Sequence, residues 1–370
     1  MRSTTWKLLL EDGTEYRGVN FAAREPVAGE VVFNTGMTGY VEALTDPSYR
    51  GQILVLTYPL VGNYGVPPCR PAGAIDRPYE SDRIQVQGLV VQSCSSHFSH
   101  HTGVRSLSEW LSGEGVAGLT GVDTRALTRR LREHGVVRGW IVPAEMSPGD
   151  ARNAAREVNM RSEVFREVAP RQVVTYEGGP LRVMLVDCGA KDQIVRSLLE
   201  RGASVLRVPW HHDLSAHATS VDGVVIGNGP GDPADLTSLT DSVRGLLDHF
   251  AGPIFGLCLG HQILALAAGG LTFKLPYGHR GVNQPVQNLQ TRRCFITSQN
   301  HGYAVDESSM PSDWTAWFRN LNDGTNEGLR ALGRPHMSVQ FHPEASPGPC
   351  DTSALFDDFL SLAGALRRSR

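Results

Sequence analysis

At 370 residues, with 41% hydrophobic and 20% charged content, the chain is long enough to bury the cores of two domains of ordinary size. Its net charge of -3 gives no electrostatic case for nucleic acid or an anionic membrane surface, and no apolar run approaches a membrane span. Six scattered cysteines without a Cys-x-x-Cys pair fit reduced thiols, and Leu8-Leu9-Leu10 runs at once into Glu11-Asp12-Gly13 instead of a signal-peptide core, so cytoplasm is the expected compartment.

Residues 1–145 read as a β-rich α+β domain. Trp6–Leu10 with the turn Glu11-Asp12-Gly13-Thr14, Gly29–Asn34, Gln52–Thr57 and Gly88–Val91 are strand candidates separated by Gly and Pro turns. Between the second and third, residues 35–49 form a polar loop and short helix. One clear helix follows Asp123 as N-cap, with Leu127 and Leu131 on one face and Gly135 as its stop. The arginines on that helix (125, 129, 130 and 132) read as a solvated face. Residues 70–83 read as an exposed loop, and 146–180 as a connecting segment and linker.

The rhythm changes at Leu181. Strands at Leu181–Val186, Ser204–Val208, Val221–Ile226 and Pro253–Leu257 alternate with helices at Gln193–Arg201 and Leu239–Phe250. Residues 181–370 are therefore expected to form a doubly wound parallel sheet, α/β in class, whose reactive groups sit at the carboxyl ends of strands.

Two such ends are rich in chemistry. Gly256-Leu257-Cys258-Leu259-Gly260-His261-Gln262 follows an apolar strand and opens a helix, which is the pattern of a nucleophile elbow with Cys in place of Ser. The helix would turn its N-terminal amides toward the sulfur. Taken alone, the pentapeptide also fits a buried cysteine in a strand-to-helix turn. A Cys nucleophile needs a His and an orienter for that His. His342 in Gln340-Phe341-His342-Pro343-Glu344 has the best context, at a strand end with Glu344 close enough to hold the imidazole. Gly227-Asn228-Gly229-Pro230-Gly231-Asp232-Pro233 is no phosphate loop, since its prolines lack N–H groups and no Walker pattern is present. It suits a rigid turn whose amide joins that of Leu259 in an oxyanion hole. Thr297–Tyr303 is either a recognition element for amino-acid groups or an ordinary loop. His97, His100 and His101, and the pair His211-His212, lack further ligands at metal spacing, so no metal site is expected.

Together, Gly-Leu-Cys-Leu-Gly-His-Gln, Gly-Asn-Gly-Pro-Gly-Asp-Pro and Gln-Phe-His-Pro-Glu resemble a class I, triad-type glutamine amidotransferase. The first half narrows the resemblance: Gly29–Tyr40, Leu44–Tyr49, Leu56–Asn63, Gly121–Arg125, Tyr277–Pro285 and Glu344–Pro349 are similar to the small chain of carbamoyl-phosphate synthetase. Amidotransferases feeding GMP or anthranilate synthases lack the N-terminal domain. The resemblance implies that Cys258 attacks the amide of L-glutamine to give a glutamyl thioester and ammonia, with His342 as general acid/base and Glu344 as its orienter. Carried over position by position, the glutamine contacts are Ser48, Gly229, Gly231, Leu259, Gln262, Asn300, Gly302 and Tyr303. It further implies a large synthetase chain as partner, in a heterodimer or higher oligomer. That partner uses ATP and Mg to make carbamoyl phosphate from bicarbonate for pyrimidine and arginine synthesis, and this chain needs no cofactor of its own. After Lys191, where such relatives often carry Asn, the chain reads Asp192-Gln193, away from these sites. The stretch 365–370 reads as the end of a last amphipathic helix.

Overall fold

The computed structural model describes residues 5–71, 73–161 and 163–368, and the chain divides into two compact units, Met1–Met160 and Arg161–Arg370. Among the described residues, the first unit forms nine strands: β1 (Thr5–Leu10), β2 (Glu15–Asn20), β3 (Val27–Asn34), β4 (Gln52–Leu56), β5 (Leu60–Val61), β6 (Gly88–Val90), β7 (Ser93–Cys94), β8 (Ala117–Thr120) and β9 (Val137–Pro143). Seven of them close a barrel in the order β1-β2-β8-β6-β4-β3-β9, and β5 pairs with β7 apart from it. The parallel members β3, β4, β6 and β8 explain the unbroken apolar runs, because such strands are buried on both faces. Outside them pack α1 (Tyr40–Thr45) and α2 (Leu107–Gly113), which share a core with Val32, Leu54 and Leu89 through Leu44, Leu107 and Trp110. Helix α3 (Thr124–His134) starts where Asp123 accepts a bond from Ala126 N at 2.9 Å and stops at Gly135, whose φ of 87° suits glycine. Helix α4 (Pro148–Ala154) seats Ala151 against Leu9, Ala28 and Trp140. In the 70–83 segment, Tyr79 and Glu80 are buried where an exposed loop was expected. Their anchors are local: Tyr79 Oη donates to Pro67 O at 2.9 Å, and Glu80 N to Thr45 Oγ1 at 3.0 Å.

The second unit opens with α5 (Val164–Val168) and β10 (Val174–Tyr176) and continues as an alternation: β11 (Leu181–Asp187), α6 (Asp192–Leu199), β12 (Ala203–Pro209), α7 (Leu214–Ala218), β13 (Gly223–Ile226), α8 (Thr237–His249), β14 (Ile254–Leu257) and α9 (Leu259–Ala267). Then come β15 (Leu271–Asn288), β16 (Cys294–Asp306), β17 (Trp314–Asn320), β18 (Asn326–Ala331), β19 (His336–Val339) and α10 (Ala354–Arg368). Residues 369 and 370 lie outside the described residues. One ten-stranded sheet runs in the order β10-β12-β11-β13-β14-β19-β18-β17-β15-β16.

Its centre, β12-β11-β13-β14-β19, is parallel, as the alternation predicts. The pleat shows that both faces are covered. On β14, Phe255 packs on Phe356 and Phe359 of α10, with ring centroids 6.0 and 5.8 Å away. Its neighbour Gly256 faces the other way, where a Cβ would fall 2.5 Å from Gly260 O of α9. The sheet is not parallel throughout, however. Strands β18, β17, β15 and β16 extend it antiparallel, and Thr297–Tyr303 lies inside β16, not in a loop. Two register shifts along the β15–β16 ladder, one between Lys274 and His279 and one after Gly281, break the alternation that would have marked a strand.

Candidate active site

Cys258 sits between β14 and α9 with φ 53° and ψ -103°, a left-handed conformation that a non-glycine residue holds only when its surroundings impose it. They do. Cys258 N donates to Val339 O at 2.9 Å, and its own carbonyl accepts from His261 N and Gln262 N at 3.1 and 3.3 Å. Gly256 and Gly260 leave space for the turn: a side chain at the first would strike α9, and one at the second would strike Ile226 O on β13. The thiol is 2% exposed and points to Asn300 O at 3.6 Å.

His342 and Glu344 follow β19, three and five residues beyond the strand's end at Val339, and His342 N bonds Ser298 O at 2.9 Å. His342 Nδ1 lies 2.6 Å from Glu344 Oε1, with both side chains buried. Nε2 of His342 is buried too and makes no hydrogen bond among the described residues. The sulfur is close enough to the ring to favour its charged form. Burial alone would push the imidazole down. Glu344 and Cys258 outweigh it and hold His342 well above the ordinary histidine range. Burial would likewise lift Glu344, but His342 and Lys191 keep its carboxyl low, so it stays ionised. His261, next to the elbow, serves packing instead: it bonds Ser338 Oγ at 2.8 Å, and burial pushes it down to about 3.

Lys191 is the member of this site that sequence reasoning passed over. Its Nζ lies 3.3 Å from Glu344 Oε1 and also donates to Ala345 O, in a buried setting where a lone charge would be costly. The loop that carries it is fixed on both sides. Asp187 Oδ1 accepts from Gly189 N and Ala190 N, each at 2.7 Å, and Asn228 Oδ1 accepts from Lys191 N at 2.9 Å. Arg207 ties Asp187 to Asp192, which lies 2.8 Å from its Nη1. Asp192 thus serves the loop next to the site, although no glutamine contact was expected of it. Gln340 was also missed: its Nε2 lies 3.8 Å from the sulfur, and its Oε1 accepts from Gln262 Nε2 at 3.0 Å.

The remaining expected residues fall as follows. Gly229 presses on the Cys188 carbonyl and Leu259, so that a Cβ there would lie 2.9 Å from Leu259 Cδ2. The Gly-rich turn therefore lies beside the elbow. Gly231, with φ 81°, backs onto Phe165. Gln262 Nε2 donates to Tyr303 O at 2.8 Å, which links α9 to the β16 segment holding Asn300, Gly302 and Tyr303. Ser48 belongs to the first unit, in a buried 3-10 turn capped by Asp46 Oδ1 at 2.9 Å from its N–H. A sulfur on a strained turn, an oriented imidazole beside a buried carboxylate, and adjoining turn amides are what acyl transfer from an amide requires.

Two family models match the chain: carbamoyl-phosphate synthase small chain, CPSase domain, over residues 8–141, and glutamine amidotransferase class-I over residues 184–362. The carbamoyl phosphate synthase arginine-specific small chain of Schizosaccharomyces pombe is 46% identical over 98% of this chain and 88% of its own length. The chain belongs to the carbamoyl phosphate synthase small-chain family. A second small chain of that description, from Neosartorya fischeri, is 47% identical over 98% of this chain and 80% of its own. The multifunctional protein pyrABCN of Emericella nidulans is 44% identical over 96% of this chain, which spans only 17% of that larger protein. A solved glutamine amidotransferase from Thermotoga maritima is a distant likeness, with TM-score 0.36 and 18% identity over 44% of this chain and 76% of its own. This small chain thus joins a CPSase-type barrel unit to a class I glutamine amidotransferase unit. Among the described residues, no helix is long and apolar enough to cross a membrane.

Proposed function

We propose that this small chain is the glutaminase subunit of a carbamoyl phosphate synthase and that Cys258 is its nucleophile. The thiolate attacks the side-chain carboxamide carbon of L-glutamine, and the oxyanion is met by Leu259 N–H and an amide of the Gly229 turn. His342 gives its proton to the departing nitrogen, so ammonia leaves and a glutamyl thioester remains. Water then attacks the thioester while His342 takes a proton, and glutamate and the thiolate are restored. Glu344 and Lys191 hold the imidazole in place and in charge. Ser48, Gly231, Gln262, Asn300, Gly302 and Tyr303 position the substrate. No cofactor is needed for this step.

Ammonia then passes internally to a large chain that uses ATP and Mg to build carbamoyl phosphate from bicarbonate, for arginine and pyrimidine synthesis in the cytoplasm. The partners assemble as a heterodimer or a higher oligomer. One observation carries the reading: the buried charge sequence Lys191, Glu344, His342 ends at a sulfur held in a strained turn. The test is Cys258→Ser in the complex with the large chain. Glutamine-dependent synthesis is expected to vanish while ammonia-dependent synthesis persists. Loss of both in a folded complex, or retention of the first, would overturn the assignment.

A further inference from the structure

A second set of donor atoms converges in the antiparallel half of the sheet. One donor atom each from His279 on β15, His301 on β16 and Glu327 on β18 lie within 4.8 Å of one another, and all three side chains are buried. Their hydrogen bonds decide which atoms are available. His279 Nε2 is 2.7 Å from Asp323 Oδ2, so that nitrogen carries the N–H. Its Nδ1 lies 3.5 Å from Glu327 Oε1 and 3.5 Å from Asn320 Nδ2, two long contacts. His301 Nδ1 lies 2.8 Å from Tyr303 O, while its Nε2 faces Gln299 Oε1 at 3.1 Å.

That last contact is an imbalance. Thr297 Oγ1 donates to Gln284 O at 2.8 Å, so it must accept from Gln299 Nε2 at 3.2 Å, and this fixes the amide with its oxygen toward His301. A neutral imidazole has one N–H and cannot serve both oxygens. Glu327 adds a second imbalance. Its Oε1 accepts from Asn320 Nδ2 at 2.8 Å, but its fully buried Oε2 has no partner among the described residues. Two imidazole nitrogens, a carboxylate and an amide oxygen thus converge on one buried point, where a cation would satisfy them together. The outward N–H of each histidine goes to a carboxylate or a backbone carbonyl, which is the outer-shell pattern of metal-binding histidines.

We propose that His279, His301 and Glu327 bind a divalent cation of the zinc class, with Gln299 Oε1 on its fourth side. The donor set, two imidazoles and a carboxylate, suits that class. Bonds of about 2.0–2.1 Å put tetrahedral donors about 3.4 Å apart, so the triangle contracts on binding. The cation ties β15, β16 and β18 together. Bracing Asn300, Gly302 and Tyr303 for glutamine is a consequence that rests on the glutaminase reading, whereas the cation site does not. No motif spacing announces it, because the three ligands stand on three strands.

The experiment uses the full chain carrying Cys258→Ser, so that the site thiol cannot compete, with Zn²⁺ alone as the probe. The expected result is one retained equivalent per chain after dialysis, with an X-ray absorption shell of nitrogen and oxygen at about 2.0–2.1 Å and no sulfur near 2.3 Å. Asp323→Asn changes an exposed outer-shell group and leaves the core intact; it is expected to weaken binding about 10- to 100-fold. Glu327→Gln is expected to abolish it. No retained zinc, a shell containing sulfur, or undiminished affinity in Asp323→Asn would overturn the proposal. Each readout is independent of glutamine hydrolysis.

Discussion

Gly229→Ala isolates the role of the Gly-rich turn. The new Cβ would overlap the Cys188 carbonyl oxygen and stand 3.0 Å from its carbon and 2.9 Å from Leu259 Cδ2. None of these is a flexible side-chain end that swings away cheaply. The Cys188 backbone is pinned by the adjoining Asp187 cap, and Leu259 begins α9 immediately after Cys258. The turn must therefore retreat, by about 1 Å, and a misplacement of that size at a reacting centre costs on the order of 100-fold in rate. That loss corresponds to about 2.7 kcal/mol of transition-state stabilisation. Cys258, His342 and Glu344 are untouched, so the variant should keep its thiol chemistry. The assay pairs glutaminase kcat/KM with the rate at which a small alkylating reagent modifies Cys258, read by mass spectrometry of that peptide. The expected outcome is a fall of about 100-fold in the first and less than about threefold in the second. Hydrolysis within about threefold of the parent would refute the placement of the turn amides at the oxyanion. A parallel collapse of alkylation would show that the elbow itself had moved.

Other outcomes follow from the charges. Lys191→Met leaves Glu344 buried with one cation fewer; a loss of about 1–3 kcal/mol in denaturant unfolding of the second unit and a drop of at least about tenfold in kcat/KM are expected. Glu344→Gln removes the largest charge that offsets burial of the imidazolium, so His342 should fall and the alkaline limb of the pH–rate profile should move to lower pH; an unaltered profile would count against the orienter role. The same pair has a stability signature. His342, raised from 6.5 to about 10, contributes fully below pH 6.5 and loses its contribution as pH rises through 10; Glu344, lowered from 4.5 to about 2, contributes fully above pH 4.5 and loses its contribution as pH falls through 2. The destabilisation by Glu344→Gln should thus be greatest between pH 4.5 and 6.5 and shrink toward pH 10, as followed by thermal melts. In the first unit, Asp123→Ala deletes the cap of α3 and should cost about 0.5–2 kcal/mol in urea unfolding without touching the thiol chemistry.

The sequence announced what is encoded over short distances. The Asp123 cap, the Gly135 stop and the elbow glycines each solve a steric or hydrogen-bonding problem within a few residues, and each stands where it was expected. Likewise, the alternation of strand and helix from Leu181 carried the parallel core and the placement of the sulfur at a strand end. What was hidden is non-local. Closing the barrel depends on β9 meeting both β1 and β3, pairings that no local pattern specifies. Strand β16 reads as a polar string because Thr297, Ser298, Gln299, Asn300 and His301 are all buried polar residues, tied to neighbouring elements by bonds such as Thr297 Oγ1 to Gln284 O and not by apolar packing. No local pattern marks Lys191, and only the return of the chain at Glu344 gives its charge a purpose.

The backbone at Cys258 has a further consequence, for variation. A conformation with φ 53° and ψ -103° is open to glycine but costs a side-chain-bearing residue about 1–3 kcal/mol. Drift toward greater thermal robustness therefore pulls this position toward glycine, with the lost burial of one small side chain as the only opposing force from packing. A chain that has shed its reactive sulfur would be at no disadvantage in folding. Cys258→Gly is then expected to unfold no more readily than the parent chain, so folding alone gives no reason for a sulfur between β14 and α9.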